Sequence, residues 1–420
     1  MPAAPPSSTA EAPLGRRSGA AIPDLPPARP SARPPGVRTL RRALARVSAM
    51  DRAVLRLYLL TRVGMWAVAY CTGWLFTGDG RSTEAPSVLS RWQQWDWAHF
   101  QRIAQDGYFP GPGLVGGDRP DNREAFFPGF PLLLRAVHLV VADWAAAGLL
   151  ISFAAGAVAV SALARIARLD TGDQRAGGRA VLFLLLSPCE VFLAAGYTEA
   201  LFLALALPCW LAARRGNWPL AAVLACLATG VRISGLFLAA ALVVQFLACG
   251  REQRRWSRLP WLALPALPAL LYSWYLHART GDWMAWKHAQ ERGWYREFHA
   301  PWVAWRNTWH GAFSHDQSTT YALLFQAELL AMAVGVLLLC VLLRRRRWAE
   351  AAYVGLSLWA LGTSYWYMSI PRASLLWWPL WVLLARWSLR RPWLKDAYLG
   401  IAAPLMTVLA IAFTSGRWAG

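Results

Sequence analysis

The sequence predicts an all-α polytopic membrane protein, on three observations. Apolar stretches long enough to cross a bilayer, about 20 residues each, recur from Val54 almost to the end of the chain. Hydrophobic residues make up 56% of the 420, with 26 Trp among them, a composition outside the soluble range. The formal charge of +20 is carried almost wholly by Arg, because Lys occurs only at 287 and 395. Those arginines cluster in the breaks between apolar stretches and therefore read as topology signals. Nucleic-acid binding would instead require a basic face on a folded domain.

Residues 1–50 are rich in Pro, Ala, Ser and Arg and lack apolar periodicity, which predicts a disordered cytoplasmic tail. A secretory signal would place a short apolar core near the start. Here the first apolar run begins near Val54 and is long enough to span, so an uncleaved anchor is expected. Residues 51–420 form the polytopic domain, with spans expected at 54–77, 145–166, 179–196, 198–213, 218–232, 234–249, 259–277, 320–343, 349–369, 373–389 and 397–415, about eleven in all. The large outer loops fall at about 78–125 and 278–319.

The stretch 127–143 is read as a helix in the outer interface, because a full span there would put the basic break Arg165, Arg168, Arg175 and Arg179 outside. Arg214, Arg215, Arg251 to Arg258, Arg344 to Arg347, and Arg386 to Lys395 then all lie on the cytoplasmic side.

With this topology, the polar residues within or beside apolar segments map to the outer face: Asp96, His99, Glu190, Glu199, Arg232, Asp282, Lys287 and Arg372. Ionisable groups at membrane depth cost several kcal/mol unless paired or hydrated, so one outward-facing polar site is expected.

WDWAHFQRIAQDGY, 95–108, reads as a short amphipathic helix along the interface. Trp95, His99, Arg102 and Ile103 share one face, and Asp96 and Phe100 share the adjoining one. Asp96 there serves either as a general base towards a hydroxyl or as a helix cap or end salt bridge. Arg232, in ATGVRISG, either meets a phosphate or pairs with Glu190 or Glu199, and the same choice holds for Arg372 in SIPRASLL. If Gly196 breaks the helix in SPCEVFLAAGYTEALF, Glu190 and Glu199 both face the outer cavity, to bind sugar hydroxyls or to cap helices. TGDWMAWKHAQERGW, 280–294, mixes Asp282, Lys287 and His288 with Trp, for sugar stacking or interface anchoring.

The six Cys form no CxxC pair and the outer-loop histidines no compact set with a carboxylate, so neither a disulfide framework nor a metal is expected. There is no GxGxxG with an acidic ribose partner and no GxxxxGK[ST]. An outward site without a nucleotide fold calls for a donor delivered from within the bilayer, such as a polyprenyl-phosphate sugar, and no cofactor.

These segments, in order from about 92 to 381, resemble the PIG-V (GPI mannosyltransferase 2) family. WDWAHFQRIAQDGY and AFFPGFPLLLR are similar to its WD and AFFP stretches, and SPCEVFLAAGYTEALF is similar to its SP…YSE(S/A)LF segment. TGVRISGLF resembles its R.NG motif with Ile233 and Ser234 substituted, and TGDWMAWKHAQERGW and PRASLLWWPLW are similar to its later segments.

The resemblance implies a GT-C type membrane mannosyltransferase that takes mannose from a polyprenyl (dolichyl-type) phosphate on the extracytoplasmic face. The transfer would be inverting, with an alpha-1,6 linkage as in eukaryotic relatives. It implies Asp96 as base, Arg232, Arg372 and Lys287 on the departing phosphate, and His99, Glu190, Glu199 and Asp282 around the substrates. The Arg- and Ala-rich composition is that of a high-GC bacterium, so the expected acceptor is a lipid-linked glycan or envelope glycolipid at the plasma membrane. A lipid-linked sugar flippase and a GT-C enzyme with another donor or a protein acceptor are the rival readings.

Overall fold

The computed structural model describes residues 48–76, 87–109, 121–250, 252 and 254–420. All but the last three residues of the tail expected over 1–50 lie outside these, as do 77–86 and 110–120 of the first loop. Among the described residues every regular element is helical.

The helices are α1 (Ala49–Leu75), α2 (Trp97–Asp106), α3 (Gly129–His138), α4 (Trp144–Thr171), α5 (Gln174–Leu185), α6 (Val191–Ala194), α7 (Thr198–Arg214), α8 (Trp218–Val231) and α9 (Gly235–Ala248). After a 3-10 run at Trp256–Ala266 come α10 (Leu267–Thr280), α11 (Ala285–Trp294), α12 (Pro301–Phe313), α13 (Thr319–Arg344), α14 (Trp348–Gly362), α15 (Ile370–Ala373), α16 (Trp378–Arg390) and α17 (Trp393–Thr414).

Among the described residues, five helical runs are long and apolar enough to cross a membrane: α1, α4, Trp256–Thr280, α13 and α17. The expected count of about eleven spans is not confirmed. The stretch 179–196 is broken between α5 and α6, 349–369 is helical only to Gly362, and 373–389 is regular α-helix only from Trp378. The breaks are short, so a hydropathy window that averages over them reads the stretches as continuous. The ten-residue α3 is too short to span, in keeping with its reading as an interfacial helix.

α4 forms the centre of the bundle. It is 56% buried over its apolar window, against 22–28% for the other four runs. Its many Ala, Gly and Ser residues let neighbours approach closely: a Cβ at Gly156 would lie 2.4 Å from the Tyr58 hydroxyl, which donates to Phe153 O at 2.8 Å. By contrast α1, α13 and α17 leave Leu60, Leu75, Leu330, Leu337, Ile401 and Val408 exposed on their outer sides. Such extensive apolar surface suits contact with lipid.

α2 forms where the sequence places it. Trp97, Phe100, Ile103 and Ala104 are buried, whereas Trp95 and Arg102 are exposed. Tertiary contact explains the difference. The Trp97 ring enters a notch between α4 and the α6–α7 break, where a Cβ would lie 2.4 Å from it at Gly148 and 2.6 Å at Gly196. Gly196→Ala is expected to lower stability by about 1–3 kcal/mol through overpacking, read as an earlier melt in detergent.

Candidate active site

Arg372 is the hub of the site. Its Nη1 donates to Asp96 Oδ2 at 2.7 Å and its Nε to Glu199 Oε1 at 2.7 Å. The guanidinium lies 4.5 Å from the Phe192 ring centroid and 4.9 Å from that of Tyr197. Both aromatics come from SPCEVFLAAGYTEALF, which breaks at Ala195–Tyr197 as the glycine suggests. The break frees α7 to begin at Thr198 with Glu199 in its first turn.

Arg232 follows the last residue of α8, and its Nη1 donates to Thr198 and, at 2.7 Å, to Glu199 Oε1. Glu199, fully buried, therefore bridges two arginines. Of the two carboxylates offered as partners for Arg232, the structure chooses Glu199.

Asp96 precedes α2 but does not cap it, because its side chain turns to Arg372. Its Oδ1 accepts no hydrogen bond among the described residues, and Asp96 borders a cavity of about 490 Å³. Arg232, Arg296, Arg372 and Lys287 also line that cavity, among Phe126, Trp294 and other apolar side chains.

The other expected residues stand elsewhere. Glu190 is fully buried and pairs with Arg62 of α1, away from the cavity; the turn at 187–190 points it into the bundle rather than outward. His99 stacks on Phe126 at 4.9 Å and sits 3.7 Å from Asp121, behind the lining. Burial pulls its imidazole below the ordinary value, with Asp96 and Asp121 opposing, so it is neutral at neutral pH. Asp282 is spent locally. It accepts from Met284 N at 2.7 Å and contacts His288 at 2.6 Å, and these bonds hold its carboxyl below the ordinary range. Lys287 reaches the cavity but is paired with Glu291 at 3.1 Å.

Three residues were not read as site residues from the sequence. The Nε of Arg296 is buried without a hydrogen-bond partner. Burial, with Arg232 next, pulls its guanidinium down to about 10, so it remains charged at neutral pH. Glu328 accepts from Ser369 N at 2.6 Å and Ile370 N at 2.8 Å, anchoring the turn that presents Arg372. A lone carboxylate inside a 26-residue apolar helix was a signal for it.

Trp418 lines the cavity and meets Trp95 edge-on at 5.2 Å. Its segment acts as a clasp on both arms of the ion pair. Arg417 O accepts from Trp95 Nε1 at 3.3 Å, and Gly420 O accepts from Ser369 Oγ at 3.3 Å. Trp95 and Ser369 hold φ of 50° and 64°, left-handed values that a non-glycine residue keeps only when surrounding contacts over-determine them. Trp418→Ala is expected to cost about 0.5–1.5 kcal/mol of stability but to lower turnover out of proportion. A melt together with a kcat measurement checks this.

Similarity to known proteins covers part of the chain. Residues 118–276 match the family model described as dolichyl-phosphate-mannose-protein mannosyltransferase; Glu199 and Arg232 fall inside that segment, Asp96 and Arg372 outside it. GPI alpha-1,6-mannosyltransferase 2 of Mus musculus is 34% identical over 182 residues, 40% of this chain and 34% of that protein. The Rattus norvegicus protein is 36% identical over 36% of this chain and 30% of its own length, and the Homo sapiens protein 35% identical over the same shares. The chain thus spans about a third of the length of these relatives.

Among solved structures, ArnT from Cupriavidus metallidurans bound to undecaprenyl phosphate superposes with a TM-score of 0.47 at 13% identity, covering 86% of this chain and 77% of that one. Sequence similarity bears out the resemblance carried by the motifs: over 40% of its length the chain is similar to GPI alpha-1,6-mannosyltransferase 2.

Proposed function

We propose that the protein is a membrane mannosyltransferase that moves mannose from a polyprenyl-phosphate donor to a hydroxyl of a lipid-linked or glycolipid acceptor on the extracytoplasmic face. The observation that carries this reading is the free Oδ1 of Asp96 at a cavity whose opposite charges are arginines. The acceptor oxygen attacks C1 of the mannose as its proton passes to Asp96. The bond from C1 to the phosphate oxygen breaks, and its electron pair leaves with the phosphate. Arg372 fixes the position of the Asp96 carboxylate through its 2.7 Å bond to Oδ2.

Three guanidinium groups (Arg232, Arg296, Arg372) stand against two carboxylates (Asp96, Glu199), and Lys287 is balanced by Glu291. Glu328 acts on Arg296 only from a distance, and among the described residues Arg296 makes no ion pair, so it is the guanidinium offered to a phosphate. A charge-assisted bond of about 1.5–3 kcal/mol predicts that Arg296→Gln raises the donor KM roughly tenfold to a hundredfold, measured with purified protein and labelled donor.

The family model names a protein acceptor and the relatives a glycolipid one. The test offers the purified protein labelled polyprenyl-phosphate mannose or a nucleotide-linked mannose, with membrane lipid extract or peptides as acceptors. Labelled lipid made from the polyprenyl donor is the expected product. Labelled peptide would move the acceptor to protein, and transfer from neither donor would sink the reading.

A further inference from the structure

We propose that the arginine-lined hollow at the opposite end of the bundle from Asp96 binds a phosphate-bearing anion, the headgroup of an anionic phospholipid. Near its start α4 touches Trp97 through Gly148, and near its end it carries Asp170. At 1.5 Å per residue these points lie roughly 33 Å apart.

At the far end Asp170, nearly buried, holds Arg214 at 2.7 Å and also Arg347, which Glu350 grips in turn. These two acids and two arginines balance, and they form a fixed floor drawn from three helix ends. Arg345 and Arg386 complete the lining of a cavity of about 470 Å³, and neither meets a carboxylate among the described residues. Burial, then repulsion from Arg386, Arg347 and Arg390, lowers the Arg345 pKa.

Helix C-termini attract cations, which accounts for arginines at this end. It does not account for their convergence from residues 214, 345, 347 and 386 on one hollow, with two left uncompensated. A phosphate oxygen fork between guanidinium groups resolves that repulsion. A lipid source is favoured over a soluble one because Leu169, in the lining, and Trp348, next to Arg347, are half exposed, as suits side chains beside acyl chains and headgroups.

The test is the melting temperature of the purified full chain in detergent with phosphatidylglycerol, phosphatidylcholine or inorganic phosphate added. Phosphatidylglycerol is expected to raise it and phosphatidylcholine not, and the Arg345→Gln, Arg386→Gln double variant is expected to lose the difference. A control pair, Arg215→Gln with Arg258→Gln at a separate hollow, is expected to keep it. If the first variant does not fold, the Arg345→Lys, Arg386→Lys pair retains charge and is expected to keep part of the shift. Equal response to both lipids, a shift that survives in the glutamine variant, or equal loss in the control overturns the site. A full shift with inorganic phosphate alone overturns the lipid assignment. None of these outcomes depends on mannose transfer.

Discussion

Asp96→Asn is expected to lower mannose transfer about 100- to 10,000-fold, the range for loss of a positioned general base. Asparagine keeps the shape of the side chain and can still accept from Arg372, but its amide cannot take the acceptor proton. Arg372 also stays anchored by Glu199 at 2.7 Å, so the fold is expected to survive the change. The measurement is transfer from labelled polyprenyl-phosphate mannose by membranes that hold equal amounts of each protein. Asp96→Glu is expected to recover part of the rate, since it restores a carboxylate at slightly altered reach. Transfer by Asp96→Asn at the wild-type rate would remove Asp96 as the base.

Arg372→Ala is expected to be the more damaging change, because it acts on the fold and the site together. It leaves Glu199 fully buried with only Arg232, and Asp96 with no cationic partner. Breaking a buried ion pair costs about 3–5 kcal/mol, so reduced yield and a large fall in melting temperature are expected. Arg372→Lys does not rescue it, since a single ammonium on a flexible stem does not reproduce a planar fork donating to two carboxylates while lying between two aromatic rings. A lysine variant with wild-type stability would show that the two-way bridge contributes little.

Much of this site was readable residue by residue. Asp96, Glu199, Arg232 and Arg372 each stood out because a charge beside an apolar run needs a partner, and the structure brings these four together. Glu190 carried the same signal and went elsewhere, to Arg62. From sequence the two carboxylates are equivalent; which side of the α6–α7 break each faces depends on the turn geometry at 187–197.

Arg296 and Trp418 gave no comparable signal, since an arginine in an outer loop and an aromatic after a helix are ordinary at a membrane interface. Their role comes from what they face. Periodicity likewise named two stripes on α2 without saying which is buried, and the Gly148–Gly196 notch decided it by taking in Trp97.

By itself, then, the sequence determined the class of protein, the positions of its long apolar helices to within about five residues and the charged residues that must find partners. Hydropathy and ionisation are properties of each segment, whatever its neighbours do. The tertiary structure decided which carboxylate meets which arginine, which guanidinium stays unpaired at the cavity, and where apparent spans break into short turns. Pairing energies depend on distances between residues far apart in the chain, and only the packed bundle sets those distances.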